Sequence, residues 1–481
     1  MIRLNQVAWT YPHAEGPSLR GLDLHVTAGE LLVLCGASGS GKSTALRLMN
    51  GLIPHFHENG TLTGTVHVDG LATATAKIDE IGLRTGTVRQ HPRRQFFTDT
   101  ARDEVAFAME NFGYAPADIH TRVGRTLDDL ATGVPVEQRL QHLSGGQQQQ
   151  VAIAASAAHG PAVLLLDEPS SNLSTGAVER LAGTLAQLKR DGVTIVVAEH
   201  RLHYLRDLAD RVVVMRAGRI HAEWTAAQFR AVPDEDLARE GLRGEVLRAE
   251  LPELAASGAS AARPVPPAQV RPGVLELDGV RCRLGGRTIL DLERVAFRAG
   301  EVTAIRGING AGKSTLARIV TGLLRSRGVV RLDGRVLSRR ARQRASAIVM
   351  QDVQRQLFTD SVEAEIRLAG TNAPAAPDTA AVLAALDLAH LAERHPLSLS
   401  GGQQQRLVVA AVRVANRRVV VFDEPSSGVD RRHLGSIRAQ IRQLATDGAV
   451  VLLISHDDDL VALAADRQLT LVPVRKPSGS H

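Results

Sequence analysis

Five short apolar runs stand out along this 481-residue chain: ELLVLCG (30–36), AVLLLDE (162–168), VTIVVAEH (193–200), VVVFDEP (419–425) and AVVLLISH (449–456). Their apolar positions are continuous rather than alternating, which suits strands covered on both faces of a largely parallel sheet. Helical stretches such as KSTALRLMNGL (42–52) and KSTLARIVTGL (313–323) follow. Strand–loop–helix alternation predicts an α/β layered fold. TLTGTVHVDG (61–70) and GVVRLDG (328–334) look instead like hairpin strands of an antiparallel edge subdomain. MIRLNQVAWTYP at the start and VLELDGV from Val274 read as opening strands.

One ordered set of motifs occurs twice. GASGSGKST (36–44) is followed by Gln90, LSGGQ (143–147), VLLLDEP (163–169) and His200. GINGAGKST (307–315) is followed by Gln351, LSGGQ (399–403), VVVFDEP (419–425) and His456. Lys42 and Lys313 are 271 positions apart, and Gln90 and Gln351 are 261 apart. From Ser144/Ser400 through Asp167/Asp423 to His200/His456 the spacing holds at 256. The repeat is domain-sized, far longer than a solenoid unit. It predicts one domain over 1–245, a linker over 246–273 and a second domain over 274–481. Within that linker, LPELAASGASAARPVPPAQVRPG (251–273) is rich in Ala, Pro, Ser and Gly without apolar periodicity, so it reads as semi-extended.

Composition narrows the class further. Only 3% of residues are aromatic, so the cores rest on Val, Leu, Ile and Ala. No apolar run approaches the roughly 18–20 residues that a membrane helix needs. The first residues lack a signal-peptide pattern. Cys35 and Cys282 are the only cysteines, too few for a disulfide framework or an iron–sulfur set. The expectation is a soluble protein of the cytosol. A net charge of +6 permits contact with a membrane surface or nucleic acid without demanding it. The densest basic cluster, Arg339, Arg340, Arg342 and Arg344, reads as a solvated face. Without interleaved aromatics it makes a poor stacking platform, so no nucleic-acid partner is expected. His13, His55 and His57 have no acidic or Cys partner at a recognisable metal-ligand spacing.

The repeated motifs carry nucleotide chemistry. Gly36, Gly39 and Gly41, like Gly307, Gly310 and Gly312, let the backbone wrap closely around phosphates ahead of a helix N-terminus, whose N–H groups attract anions. Lys42 and Lys313 supply point charges for the β- and γ-phosphates of ATP. Ser43 and Ser314 offer hydroxyls to Mg²⁺, and Thr44 and Thr315 add phosphate contacts. Asp167 and Asp423 end apolar strands, as carboxylates anchoring the Mg²⁺ shell should. Glu168 and Glu424 follow, placed to orient an attacking water. His200 and His456 end the next strand, within reach of the γ-phosphate. In Ser144, Gly145, Gly146 and Gln147, and again in Ser400, Gly401, Gly402 and Gln403, a second helix start offers a further anion site per domain.

With these motifs the chain resembles the ATP-binding-cassette ATPases. The resemblance implies two tandem P-loop domains, each with a mostly parallel core sheet, an antiparallel β subdomain and a helical signature subdomain. It implies that paired domains sandwich two ATPs head to tail. The ATP on Lys42 would be capped by Ser400 to Gln403, and that on Lys313 by Ser144 to Gln147. Gln90 and Gln351 would join the catalytic and Mg²⁺ shells, and Tyr11 would stack on adenine. Copy two offers Leu284 where Tyr11 stands, and copy one offers Ser174 where Asp430 ends the loop after DEP. Both departures fall on the ATP held by Lys313, which is expected to bind more weakly and turn over more slowly. Gln150 against Arg406 also breaks the repeat, without a site assignment.

A narrower resemblance rests on QHPRRQFFTDT (90–100) and QDVQRQLFTDS (351–361), with MNGLIPH (49–55) and DEVAFAMENFG (103–113). These are similar to the energy-coupling-factor and cobalt-type importer ATPases. The family implies a motor working on separate integral membrane subunits and a substrate-capture membrane protein, peripheral on the inner face of the cell membrane. Arg94 to Asp99 and Arg355 to Asp360 would face that partner. Soluble tandem cassettes acting on ribosomes are the alternative class, but they carry a long charged helical linker. Sugar-importer tandem ATPases compete within transport, but typically with a weakened second catalytic set, whereas Lys313, Asp423 and Glu424 are intact here.

Overall fold

In a computed structural model of the chain, the structure describes residues 1–481 apart from 13, 15, 58, 172, 245, 246, 248, 255–272, 309, 351, 352, 372–377, 400, 427–430 and 475–481. Gln351, Ser400, Asp430, His13 and most of the linker thus lie outside the described residues. The chain divides into two compact units, one built on Met1–Val246 and the other on Leu247–Ser427 with His433–His481.

The first unit is organised by a six-stranded sheet in the order Arg219–Thr225, Arg211–Arg216, Leu31–Cys35, Thr194–Ala198, Val163–Asp167, Thr85–Val88. All neighbours run parallel except Arg219–Thr225 with Arg211–Arg216. The continuous apolar runs now have their physical reason. Successive side chains of a strand point to opposite faces, and here both faces are covered. Leu31, Val33 and Cys35 join the core beside helices Ala101–Asn111, Gly145–Ala157 and Thr175–Arg190. Leu32 and Leu34 join the core beneath helix Lys42–Met49 and the antiparallel sheet. Cys35 is wholly buried, and burial pushes its thiol up to about 12, so it packs rather than reacts.

The antiparallel sheet, ordered Leu19–Val26, Ile2–Thr10, Thr61–Val68, Leu71–Ala72, has only one face on the core. Its burial alternates accordingly, with Ile2 and Leu4 inward. The second unit repeats the plan. Its antiparallel sheet runs Arg287–Arg298, Val274–Leu284, Arg327–Leu332, Arg335–Val336. Its five-stranded sheet, Ser346–Val349, Val419–Asp423, Val450–Ile454, Val302–Arg306, Arg467–Thr470, is parallel throughout. The expected opening strands, hairpin strands and post-loop helices all form.

One expectation needs correcting. Arg339, Arg340 and Arg344 are exposed, but Arg342 is buried and donates through Nη1 to the Ile319 carbonyl at 2.6 Å. On a helix, position 342 turns away from its neighbours and onto the helix Lys313–Val320. Among the described residues no helix is long and apolar enough to cross a membrane.

Gly86 sits in strand Thr85–Val88, and a side chain there would strike the Ser156 carbonyl of helix Gly145–Ala157. Gly86→Ala is expected to destabilise the first unit by about 1–3 kcal/mol. Gly183 lies exposed within helix Thr175–Arg190 with open space around it. Gly183→Ala should stabilise by about 0.5–1 kcal/mol. Opposite shifts in the urea midpoint check the pair.

Candidate functional site

The parallel sheet of the first unit sends its strand ends to one edge. Register pairs Leu34 with Ala198 and Asp167 with Ala198, so the phosphate loop, the DEP segment and His200 all leave the sheet there. The carboxyl edge of a parallel sheet is where ligands of such folds bind.

Gly36 has φ 137°, and a side chain on it would strike the Met215 carbonyl. Gly307 repeats this with φ 139° against the Leu471 carbonyl. Only glycine lets the loop pass so close to backbone. Lys42 begins its helix, is 4% exposed, and donates through Nζ to the Gly36 and Ala37 carbonyls at 2.9 and 3.1 Å. Lys313 does the same to Gly307 and Ile308 at 2.7 and 3.3 Å. Burial lowers its pKa against the pull of Glu424 and Asp423.

Ser43 Oγ donates to Asp167 Oδ1 at 2.9 Å, joining the two side chains expected around Mg²⁺. Burial, then the charge of Glu168, raises the Asp167 pKa. Asp423 is likewise raised by burial, opposed by the Ser314 hydroxyl. A half-buried carboxylate and hydroxyl side by side at the helix start are oxygen donors of the kind Mg²⁺ prefers. Gln90 Nε2 donates to Glu168 Oε2 at 2.6 Å. Nε2 of His200 lies 3.0 Å from Glu168 Oε1, an ion-pair distance, while the buried Nδ1 has no hydrogen-bond partner among the described residues.

Burial raises the Glu168 carboxyl, but His200 and then Lys42 outweigh it, holding the group below its usual range. In the second unit the balance reverses. His456 Nε2 stands 3.6 Å from Glu424, and burial pushes the Glu424 carboxyl up to about 7. Both glutamates share a backbone feature that sequence reasoning missed, φ 47° at Glu168 and 55° at Glu424. Each is locked there by its N–H donating across the sheet, to Ala198 and Ile454, both at 2.8 Å. Non-glycine residues held at positive φ cluster at functional sites.

Tyr11 is half-buried, its hydroxyl 3.3 Å from Thr44 Oγ1 and from Arg47 Nη1, with its ring edge-on to Trp9 and His57. Leu284 is 43% exposed. Ser144 caps helix Gly145–Ala157 in a reciprocal box with Gln147. Gly401, Gly402 and Gln403 open the matching helix Gly401–Val414.

Further functional candidates escaped the sequence reading. Glu104, only 5% exposed, accepts from Phe97 N, Thr98 N and Thr98 Oγ1 at 3.0, 2.9 and 2.9 Å. Glu365 repeats all three bonds to Phe358 N, Thr359 N and Thr359 Oγ1. Each clamp leaves its phenylalanine in solvent, Phe97 at 75% and Phe358 at 76% exposure. The signal was present: both pairs are 261 apart, as are Gln90 and Gln351.

This geometry is that of a P-loop ATPase, present twice. The sequence model of the ABC transporter family matches residues 19–171 and 292–427. A Treponema denticola protein named as an ABC transporter ATP-binding protein is 38% identical over 474 residues, covering 98% of this chain and 95% of its own. The chain belongs to the ABC transporter family and is an ATP-hydrolysing enzyme that binds ATP and Mg²⁺. The Bacillus subtilis protein YkoD, named for HMP/thiamine import, is 29% identical over 98% of this chain and 90% of its own. A solved archaeal ribosome recycling factor, in complex with a ribosomal stalk protein, shares the fold at 20% identity and TM-score 0.60, over 97% of this chain and 87% of its own.

The two glutamates should titrate apart. In protein free of nucleotide and Mg²⁺, carboxyl ¹³C NMR should show one glutamate ionising near pH 7, being neutral below and charged above. That signal should vanish in Glu424→Gln, while Glu168 stays ionised below the usual range. Two glutamates titrating together would contradict the difference in their surroundings.

Proposed function

We propose that the chain is the motor subunit of an importer of the energy-coupling-factor type. It drives separate integral membrane subunits, with a substrate-capture membrane protein delivering a vitamin, a vitamin precursor or a metal ion. The observation that carries this reading is the pair of exposed phenylalanines, each clamped by a buried glutamate just after the Gln motif. Pinning the backbone that carries each phenyl ring lowers the entropy lost when the ring docks into an apolar socket. Arg94 to Asp99 and Arg355 to Asp360 are the surfaces assigned to the membrane partner, at the inner face of the cell membrane. The name of the Bacillus relative, which specifies HMP/thiamine import, supports a vitamin or its precursor among the cargoes.

In this reading each phosphate loop holds one ATP, and the LSGGQ helix of the other unit caps it. Lys42 and Lys313 bind the β- and γ-phosphates, with Thr44 and Thr315 beside them. Ser43, Gln90 and Asp167, and Ser314, Gln351 and Asp423, hold Mg²⁺, which offsets phosphate charge. Glu168 and Glu424 orient the attacking water, and His200 and His456 donate to the γ-phosphate. Phosphoryl transfer asks the protein mainly for position and charge balance. The first unit supplies both, with an ionised Glu168 close to His200 and a phenol ready for adenine. The second has a wider Glu–His gap, a carboxyl raised to about 7 and Leu284 in place of the phenol. The ATP on Lys313 is therefore the weaker and slower one.

Tagged wild-type chain, recovered from detergent-solubilised membranes, is expected to bring down a polytopic membrane protein. Phe97→Asp with Phe358→Asp should lose it, because a carboxylate does not enter an apolar socket without a partner. Charge reversal at Arg94 and Arg355 should uncouple transport. Recovery of ribosomes in place of the membrane protein would contradict the proposal.

A further inference from the structure

The two units differ sharply in what lies behind the catalytic histidine. In the first, Glu199 precedes His200 and is 2% exposed. Its Oε1 accepts from His200 N at 2.8 Å and Arg201 N at 3.2 Å. Its Oε2 accepts from the Tyr204 hydroxyl at 2.9 Å and from Ser170 N at 3.3 Å. Ser170 belongs to the turn directly after Asp167, Glu168 and Pro169. One carboxylate thus ties the backbone that carries His200 to the backbone that carries Glu168. Burial, with Glu199 beside it, raises the Tyr204 phenol well above its usual range, so it stays protonated and donates.

At the repeat spacing of 256 the second unit has Ser455 for Glu199 and Leu460 for Tyr204. Ser455 Oγ accepts from Asp457 N, at 3.0 Å, and the Asp457 side chain caps helix Asp458–Ala464. The consequence is visible at the site. The His200 side chain is 4% exposed and 3.0 Å from Glu168, whereas the His456 side chain is 20% exposed and 3.6 Å from Glu424.

We infer that Glu199, held by Tyr204, is a positioning residue that fixes His200 against Glu168 and so pre-organises the first ATP site alone. A carboxylate accepting several N–H and O–H bonds in a buried setting makes strong bonds, because charge assists each one. Four such bonds from two chain segments leave little room for His200 to swing. A site already in its reactive geometry avoids rearrangement during reaction. A serine hydroxyl in this place is too short to bridge both segments. The inference rests on the roles proposed above for Glu168 and His200, and extends them to a residue that touches no substrate.

The test uses the full chain in two backgrounds. In Glu424→Gln, remaining hydrolysis reports the site built on Glu168. There Glu199→Ser should lower kcat about tenfold, with KM for ATP changed less than about twofold. Glu199→Gln, whose amide still accepts from His200 N, should recover most of the rate. Tyr204→Phe keeps the packing and removes one donor, so it gives an intermediate kcat even if Glu199→Ser folds poorly. In Glu168→Gln, whose remaining rate reports the other site, Glu199→Ser should not cut kcat further, which a general structural defect would do. Unchanged kcat for both Glu199→Ser and Tyr204→Phe in the first background overturns the inference. So does an equal loss in both backgrounds. If Glu168→Gln itself proves harmless, the assignment of Glu168 fails instead, which separates the two claims.

Discussion

Lys42 sets the terms for everything around it. An ammonium that is 4% exposed has been taken out of water, which costs several kcal/mol unless other groups replace the lost hydration. The phosphate loop replaces part of it, by turning the Gly36 and Ala37 carbonyls inward. That turn requires glycine at position 36, because a side chain would meet the Met215 carbonyl. It also requires a rigid strand on each side, supplied by the pairing of Leu31–Cys35 with Thr194–Ala198 and Arg211–Arg216. The sheet therefore does more than form a core. It fixes a positive charge, two half-buried carboxylates and a helix start at one edge, an arrangement to which a polyphosphate with its metal is complementary.

Duplication gives the chain two such edges, and divergence has treated their parts differently. The loops, the lysines and the positive-φ glutamates match closely in both units. These are parts without which phosphate cannot be held. The supporting parts differ: Tyr11 against Leu284, Glu199 against Ser455, Tyr204 against Leu460. Each difference removes a polar or aromatic group from the second unit. The glutamate clamp on the exposed phenylalanine, in contrast, is kept bond for bond in both. The side chains around the second site thus depart from those of the first, while the presented phenylalanines and their clamps do not.

Much of this was legible in the sequence. Continuous apolar runs marked doubly covered strands, and the residues ending them are those gathered at the site. What stayed hidden was tertiary. Nothing in AEHR distinguishes a buried carboxylate bridging two segments from an exposed one, because Ser170 lies 29 positions away in the chain. The role of Glu104 was hidden likewise, because its bonds run backward to a loop at 97–98. Arg342 was grouped with its exposed neighbours, because a charge run does not declare which member faces inward. The unequal glutamates were invisible too, since identical DEP motifs acquire different pKa values from burial and from the histidine, lysine and acidic groups the fold places around them.

The central claim, two unequal ATP sites in one chain, is tested most directly by equilibrium binding of a non-hydrolysable ATP analogue with Mg²⁺. Losing a base–aromatic stack costs about 1–3 kcal/mol, and Leu284 retains some apolar contact, so the low end applies. The wild-type chain should bind two nucleotides with affinities roughly five- to tenfold apart. Lys313→Ala should leave the tighter one and Lys42→Ala the weaker. A single nucleotide per wild-type chain, or two of equal affinity whichever lysine is replaced, would contradict the account.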